Sequence, residues 1–172
     1  MDRKEVAETI LYMFFGFVIA VLGHAALGYA LETDYPVVSV VSESMEHDDV
    51  RTYREWFTDR NFDETELEKW PFSKGMNKGD LVLVKGSVIN ELEAGDVIVY
   101  RVGGGKPIIH RIVWINDSRI YTKGDNNKNT DQEGVHLAPP IQDQHVQGRA
   151  VFRVPLLGWI KIAFMNITGL FG

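Results

Sequence analysis

Residues 106–127 read KPIIHRIVWINDSRIYTKGDNN, and this stretch decides the fold class. Ile108–Ile115 and Ile120–Lys123 are runs rich in β-branched and aromatic residues, which pack well on a pleated surface. Gly124-Asp125 then supplies a turn signal. The same grammar recurs outward along the chain. Val37–Val41, Leu81–Lys85, Val97–Arg101 and Ala150–Val154 are further strand-like runs, punctuated by Gly79-Asp80, Gly95-Asp96 and the loop Gly103–Gly105. The chain carries no repeat and no low-complexity tract. Residues 32–154 therefore read as one mostly-β domain.

Two segments break this rhythm. Residues 48–76 are charged, aromatic and long for a connection. Thr52–Phe57 and Glu64–Lys69 are expected to form short helices there. Trp56, Phe57, Trp70 and Phe72 either fill the domain's own core or dip into a membrane interface, and core filling is the favoured reading. Residues 155–172 are strongly apolar but interrupted by Pro155, Lys161 and three glycines. That pattern suits a membrane-lying tail or a truncated second span.

At the other end, Ile10–Leu31 holds 22 residues without Asp, Glu, Lys or Arg. As a helix the run measures about 33 Å, against roughly 30 Å of bilayer hydrocarbon. Its large apolar residues lie all round the helix, unlike a soluble amphipathic one. Tyr12 and Tyr29 sit near the ends, where aromatic belts form. Arg3 and Lys4 precede the run, Glu32 and Asp34 follow it, and the next basic residue is Arg51. The positive-inside rule puts residues 1–9 in the cytoplasm and the domain outside. A cleavable signal peptide ending at Gly28-Tyr29-Ala30 is the rival reading, but the run exceeds the usual h-region. A retained anchor, residues 10–31, in a cell or endoplasmic-reticulum membrane is expected. His24, toward its outer end, reads as a neutral imidazole near the interface.

Composition narrows the chemistry. The net charge of −6 offers no basic surface for nucleic acid. Without cysteine, disulfides, thiolate metal sites and cysteine nucleophiles are excluded. The histidines share no metal-ligand spacing, and Gly103–Gly105 lacks the lysine and helix of a phosphate loop. No metal or cofactor is expected. The run VVSVVSESMEHDD, residues 37–49, stops abruptly at Ser42-Glu43-Ser44-Met45. A serine hydroxyl becomes a useful nucleophile only beside a base. His110, in a strand-like run, is the most rigidly placed candidate; His47 is near in sequence, and His136 and His145 lie in polar sequence. A histidine base needs a carboxylate on its far nitrogen, and Asp125 and Asp131 are the candidates. Each residue has a duller role: a turn serine, a core histidine, a turn aspartate, a solvated aspartate.

Taken in order, these pieces resemble a type I signal peptidase of the archaeal and endoplasmic-reticulum subtype. After the apolar span, Ser42-Glu43-Ser44-Met45 resembles the S-x-S-M nucleophile box. KGDLVLVKG, AGDVIVYR, HRIV and TKGDNN follow, with Asp131 six residues beyond Asp125. The resemblance implies a membrane-bound serine endopeptidase that cuts signal peptides from secretory preproteins after small residues. Ser44 would be the nucleophile and His110 the base, where bacterial relatives carry lysine. Asp131 would complete the site, with Asp125 supporting it. Ser42 and the Ser44 amide would face the oxyanion. Val37, Val38, Ser39, Val40 and Val41, together with Met45, would meet an extended substrate. Partners so implied are signal peptides, the bilayer and, in addition, a translocation channel or accessory subunits. His47 departs from the proline common in relatives and is expected to loosen the turn beyond Ser44. A non-catalytic membrane-tethered β module is the alternative function, and a self-cleaving repressor of the related Ser/Lys fold a third.

Overall fold

The computed structural model of the chain describes residues 2–47, 50–133, 138–160 and 162–163, and of Val50 and Arg51 the backbone alone. His136 and residues 164–172 of the apolar tail lie outside the described residues.

Helix α1, Arg3–Ala30, buries none of its residues. Every amide inside it is satisfied by the helix itself, so its apolar side chains need no protein partner, and it is long and apolar enough to cross a membrane. Glu5 caps its start by accepting the Asp2 amide at 2.9 Å. Its end is tied to the β domain: the Gly86 amide donates to the Leu31 carbonyl, and the Thr33 hydroxyl to Gln147 O at 2.6 Å.

The rest is built on six strands: β1 Val37–Ser39, β2 Leu81–Lys85, β3 Val97–Tyr100, β4 Ile108–Asn116, β5 Arg119–Lys123 and β6 Val146–Val154. They form one sheet in the order β1-β2-β6-β3-β4-β5, every pair antiparallel. All six lie where the residue pattern placed them, and two differ in length by more than one residue. β1 stops at Ser39, because Val40 instead closes a tight exchange with the turn before β2: its amide donates to Asp80 O, and its carbonyl accepts from Gly79. β6 begins four residues before Ala150. Gln147, Gly148 and Arg149 have poor strand propensity, but Gly148 and Arg149 pair with Val99 and Ile98 of β3, with Gln147 bulged before Val146 pairs with Tyr100, and tertiary pairing overrides local preference. Gly148 is required there, since a Cβ would lie 2.3 Å from Lys85 O across the ladder.

The sheet's interior has two aliphatic halves. Val40, Met45, Met76, Val82, Val84, Val97, Val99 and Ala150 fill one. Ile98, Tyr100, Ile112, Ile120 and Ile141 fill the other. The segment between β1 and β2 adds a third, aromatic cluster. Helices α2, Val50–Thr58, and α3, Glu64–Leu67, pack Tyr53, Trp56, Phe57, Leu67 and Trp70 against Val113 of β4. Phe57 meets Tyr53, Trp56, Phe62 and Trp70 in edge-on contacts with centroids 4.9–5.4 Å apart, a favoured geometry for aromatic pairs. Trp56 and Trp70 are each 8% exposed and Phe57 is fully buried. The insertion's aromatics thus fill the domain's core and are not displayed to a membrane.

This cluster yields a prediction. Phe57→Ala removes the ring at its centre and should destabilise the domain by about 3–5 kcal/mol, measured by denaturant unfolding in detergent. An exposed aromatic would cost well under 1 kcal/mol.

Candidate active site

Strand β4 presents two consecutive polar side chains to opposite faces of the sheet, as alternation requires. His110 faces the turn that carries Ser44, and Arg111 faces the aromatic insertion. Both are buried, at 4% and 0% exposure.

On the first face, His110 Nε2 lies 3.0 Å from Ser44 Oγ. Its other nitrogen, Nδ1, lies 2.7 Å from Asp131 Oδ2. A carboxylate only accepts, so Nδ1 carries the proton and Nε2 turns its lone pair to the serine. Asp131 is itself held: its Oδ2 also accepts from Thr122 Oγ1 at 2.6 Å and from the Tyr100 hydroxyl at 2.9 Å. Burial, and then the Asp131 charge, push the Tyr100 hydroxyl far above its ordinary range, so it stays a donor. The Asp131 backbone bonds Thr122 and Ala138, which places the carboxylate from β5. Sequence reasoning assigned no role to Tyr100 or Thr122. The available signal was a tyrosine inside a fully buried strand, since a buried hydroxyl needs an acceptor.

Ser44 sits on a turn fastened from several sides. The Asn126 amide donates to the Ser44 carbonyl at 2.8 Å, and Met76 to the Met45 carbonyl at 2.7 Å. Glu46 accepts from the Lys78 amide. The Ser42 hydroxyl lies 3.0 Å from Ser44 Oγ. Among the described residues the Ser44 amide has no hydrogen-bond partner, which leaves it available to an incoming oxygen.

On the second face, Arg111 grips Asp125 with two parallel bonds, Nε to Oδ1 at 2.8 Å and Nη2 to Oδ2 at 2.7 Å. Its remaining protons go to the carbonyls of Pro71, Phe72 and Gly95. Asp125 is therefore not a partner of His110. It holds the turn that in turn holds Ser44. Burial alone would push its carboxyl upward, but Arg111 and then His47 outweigh that and bring it down to about 2. Lys123, next along β5, donates to the carbonyls of Gly124 and Asp125 beneath Trp56 and Phe57. Burial lowers its ammonium to about 8.

His47 does not loosen the turn. Its Nε2 lies 2.8 Å from Asp125 Oδ2, and its ring stacks on Tyr53 with centroids 4.2 Å apart. The imidazole ties the segment after Ser44 to the Arg111–Asp125 pair. His145 lies on a one-turn helix, Asp143–His145, bonded to Gln142 and away from these groups.

The expected substrate strand is an edge strand. Among the described residues β1 pairs only with β2, so its other edge can accept a peptide. Val41 is 47% exposed beside that edge, and Val37 and Val38 are half-buried on it. Ser39 is buried, while Val40 and Met45 lie in the core beneath the turn, at 1% and 0% exposure. They form the floor under the edge rather than its surface.

Comparison with known proteins finds relatives of one kind. The chain is 31% identical over 172 residues to the signal peptidase complex catalytic subunit sec11 of Schizosaccharomyces pombe, covering 93% of this chain and 82% of that one. It is 33% identical over 113 residues to the corresponding SEC11 subunit of Colletotrichum graminicola, covering 54% of this chain and 64% of that protein. The dog subunit SEC11C is 30% identical over 94 residues, 50% of this chain and 48% of its own length. The chain thus spans just under two thirds of the Colletotrichum relative and about half of the dog one. No family model matches the chain, and no solved structure does.

The ion pair makes a prediction with a defined pH window. Asp125→Asn leaves Arg111 buried and uncompensated, and should cost about 3–5 kcal/mol near pH 7. The Asp125 carboxyl titrates lower in the folded chain than its ordinary value of 3.8. Its contribution is therefore complete above that value and fades as pH falls toward 2. Unfolding midpoints of the two proteins should converge over that interval.

Proposed function

The chain belongs to the family of signal peptidase complex catalytic subunits, and we propose that it is the endopeptidase that removes signal peptides from secretory preproteins. The observation that carries this reading is the hydrogen-bonded series Ser44 Oγ, His110, Asp131, fixed on a sheet whose free edge lies alongside the serine. Ser44 Oγ attacks the scissile carbonyl while His110 Nε2 takes its proton. The Ser44 amide and the Ser42 hydroxyl receive the oxyanion. His110 then returns the proton to the leaving amine, and water attacks the acyl-enzyme by the same route. Asp131 orients the ring and stabilises the imidazolium, a role worth about 10⁴ in kcat in serine proteases. Each oxyanion donor contributes roughly 10²–10³.

The substrate lies extended along β1, its small residues one and three positions before the cut facing the shallow surface around Val41. Residues 10–31 span the membrane with the N-terminus cytoplasmic, which keeps the β domain on the far side where signal peptides emerge. The exposed Leu156, Leu157, Trp159 and Ile160 extend the apolar contact with the bilayer beyond α1. Accessory subunits of a complex are the expected partners, as the relatives' names indicate.

The test is cleavage of a preprotein bearing an Ala-x-Ala site by the full-length chain in detergent, read by product mass. Wild type should cut after the second alanine. Ser44→Ala and His110→Ala should each lower the rate by at least 10³-fold. Cleavage by Ser44→Ala at the wild-type rate would remove the serine mechanism.

A further inference from the structure

The tip of the β4–β5 hairpin carries Asn116-Asp117-Ser118, an N-x-S acceptor sequence for N-linked glycans. We propose that Asn116 is an N-glycosylation site and that Trp114 is the aromatic platform on which its first sugar rests. The proposal relies on the outward-facing placement of the domain proposed above.

Three features of the hairpin support it. The first is access. Asn116, Asp117 and Ser118 are all exposed, and among the described residues no side-chain hydrogen bond or ion pair engages them. The site lies six residues along β4 from His110, about 20 Å at strand rise, so a glycan there leaves the serine site open.

The second is the choice of turn residues. Asn116 pairs with Arg119, leaving a two-residue loop with Asp117 at φ 47° and Ser118 at φ 56°. Both central residues are left-handed, a requirement that makes glycine strongly preferred at the second position. Serine there is a poor folding choice. It supplies, however, the hydroxyl that the acceptor sequence needs.

The third is an exposed aromatic stack that the fold leaves uncovered. Trp114 is 36% exposed and stacks on Tyr121, centroids 5.0 Å apart and planes 25° from parallel. Tyr121 packs inward on the aromatic core, so Trp114 is the outer layer. Trp114 and Asn116 are two residues apart on one strand and share a face. The apolar C–H face of an N-acetylhexosamine attached to Asn116 meets an indole plane already held by the stack.

The chemistry is a glycosyl transfer that needs no redox partner. Nδ2 of Asn116 attacks C1 of an oligosaccharide carried on a polyprenyl phosphate or diphosphate. The N–C1 bond forms and the C1–O bond breaks. The lipid phosphate leaves, and one amide proton passes to a base of the membrane transferase.

The experiment isolates the full-length chain from its native membranes and reads peptide 112–119 by mass spectrometry. Wild type is compared with Asn116→Gln, Ser118→Ala and Trp114→Ala. Because the chain has no cysteine, a Gln144→Cys variant on the exposed Asp143–His145 turn reports the domain's side independently, through a membrane-impermeant maleimide. The expected result is a hexosamine-containing adduct on Asn116, absent from Asn116→Gln and Ser118→Ala. Its occupancy should fall at least twofold in Trp114→Ala. An outside-labelled thiol with Asn116 unmodified overturns the site while leaving the topology standing. A thiol labelled only from the cytoplasmic side overturns the topology and the site with it. Undiminished occupancy in Trp114→Ala overturns the platform role.

Discussion

The buried pair between Arg111 and Asp125 is the constraint on which the rest of the site depends. A fully buried guanidinium is costly unless its donors are satisfied, and here they are spent on one carboxylate and three carbonyls. The acceptors come from three parts of the chain: Pro71 and Phe72 at the end of the insertion, Gly95 in the turn before β3 and Asp125 in the turn after β5. One side chain therefore fixes the relative positions of three segments. The turn after β5 passes that position on through the Asn126 amide to the Ser44 carbonyl. His47 closes the loop from the other side. The insertion between β1 and β2 supplies the aromatic walls that keep water from the pair, with Arg111 lying 5.5 Å from the Tyr53 ring and 5.8 Å from that of Trp70. A segment that looks like decoration in the sequence is the cover of the ion pair.

Two aspartates six residues apart have thereby taken separate work. Asp125 meets a permanent cation and is held ionised well below its ordinary range. Asp131 accepts from three donors, Thr122, Tyr100 and His110, on a single oxygen. That arrangement orients the imidazole without committing the carboxylate to a fixed counter-charge. The sheet makes the separation automatic, because His110 and Arg111 are consecutive on β4 and must point to opposite faces.

Much of this was legible in the residues. The six strand-like runs were marked by β-branched residues and Gly-Asp punctuation, and the two short helices by a charged, aromatic segment that breaks that rhythm, all local signals. The order of Ser44, His110, Asp125 and Asp131 was legible only through a family resemblance, since each residue alone has an ordinary structural role. Which aspartate meets His110 was not readable locally; it is decided by the pairing of β4 with β5. The clamp by Asn126, the tether by His47 and the place of Tyr100 are all contacts between segments distant in sequence. No periodicity records them. Val40 and Met45 make the same point: the sequence sets them beside Ser44, and only the fold shows both side chains turned into the core.

The most direct measurement compares single-turnover cleavage rates of Asp131→Asn and Asp125→Asn, each with its unfolding midpoint. If Asp131 orients His110 and Asp125 braces the frame, Asp131→Asn loses about 10⁴ in rate beyond anything its midpoint explains. Asp125→Asn then loses chiefly stability. Near-wild-type cleavage by a folded Asp131→Asn protein would contradict the assignment of roles and the mechanism built on it.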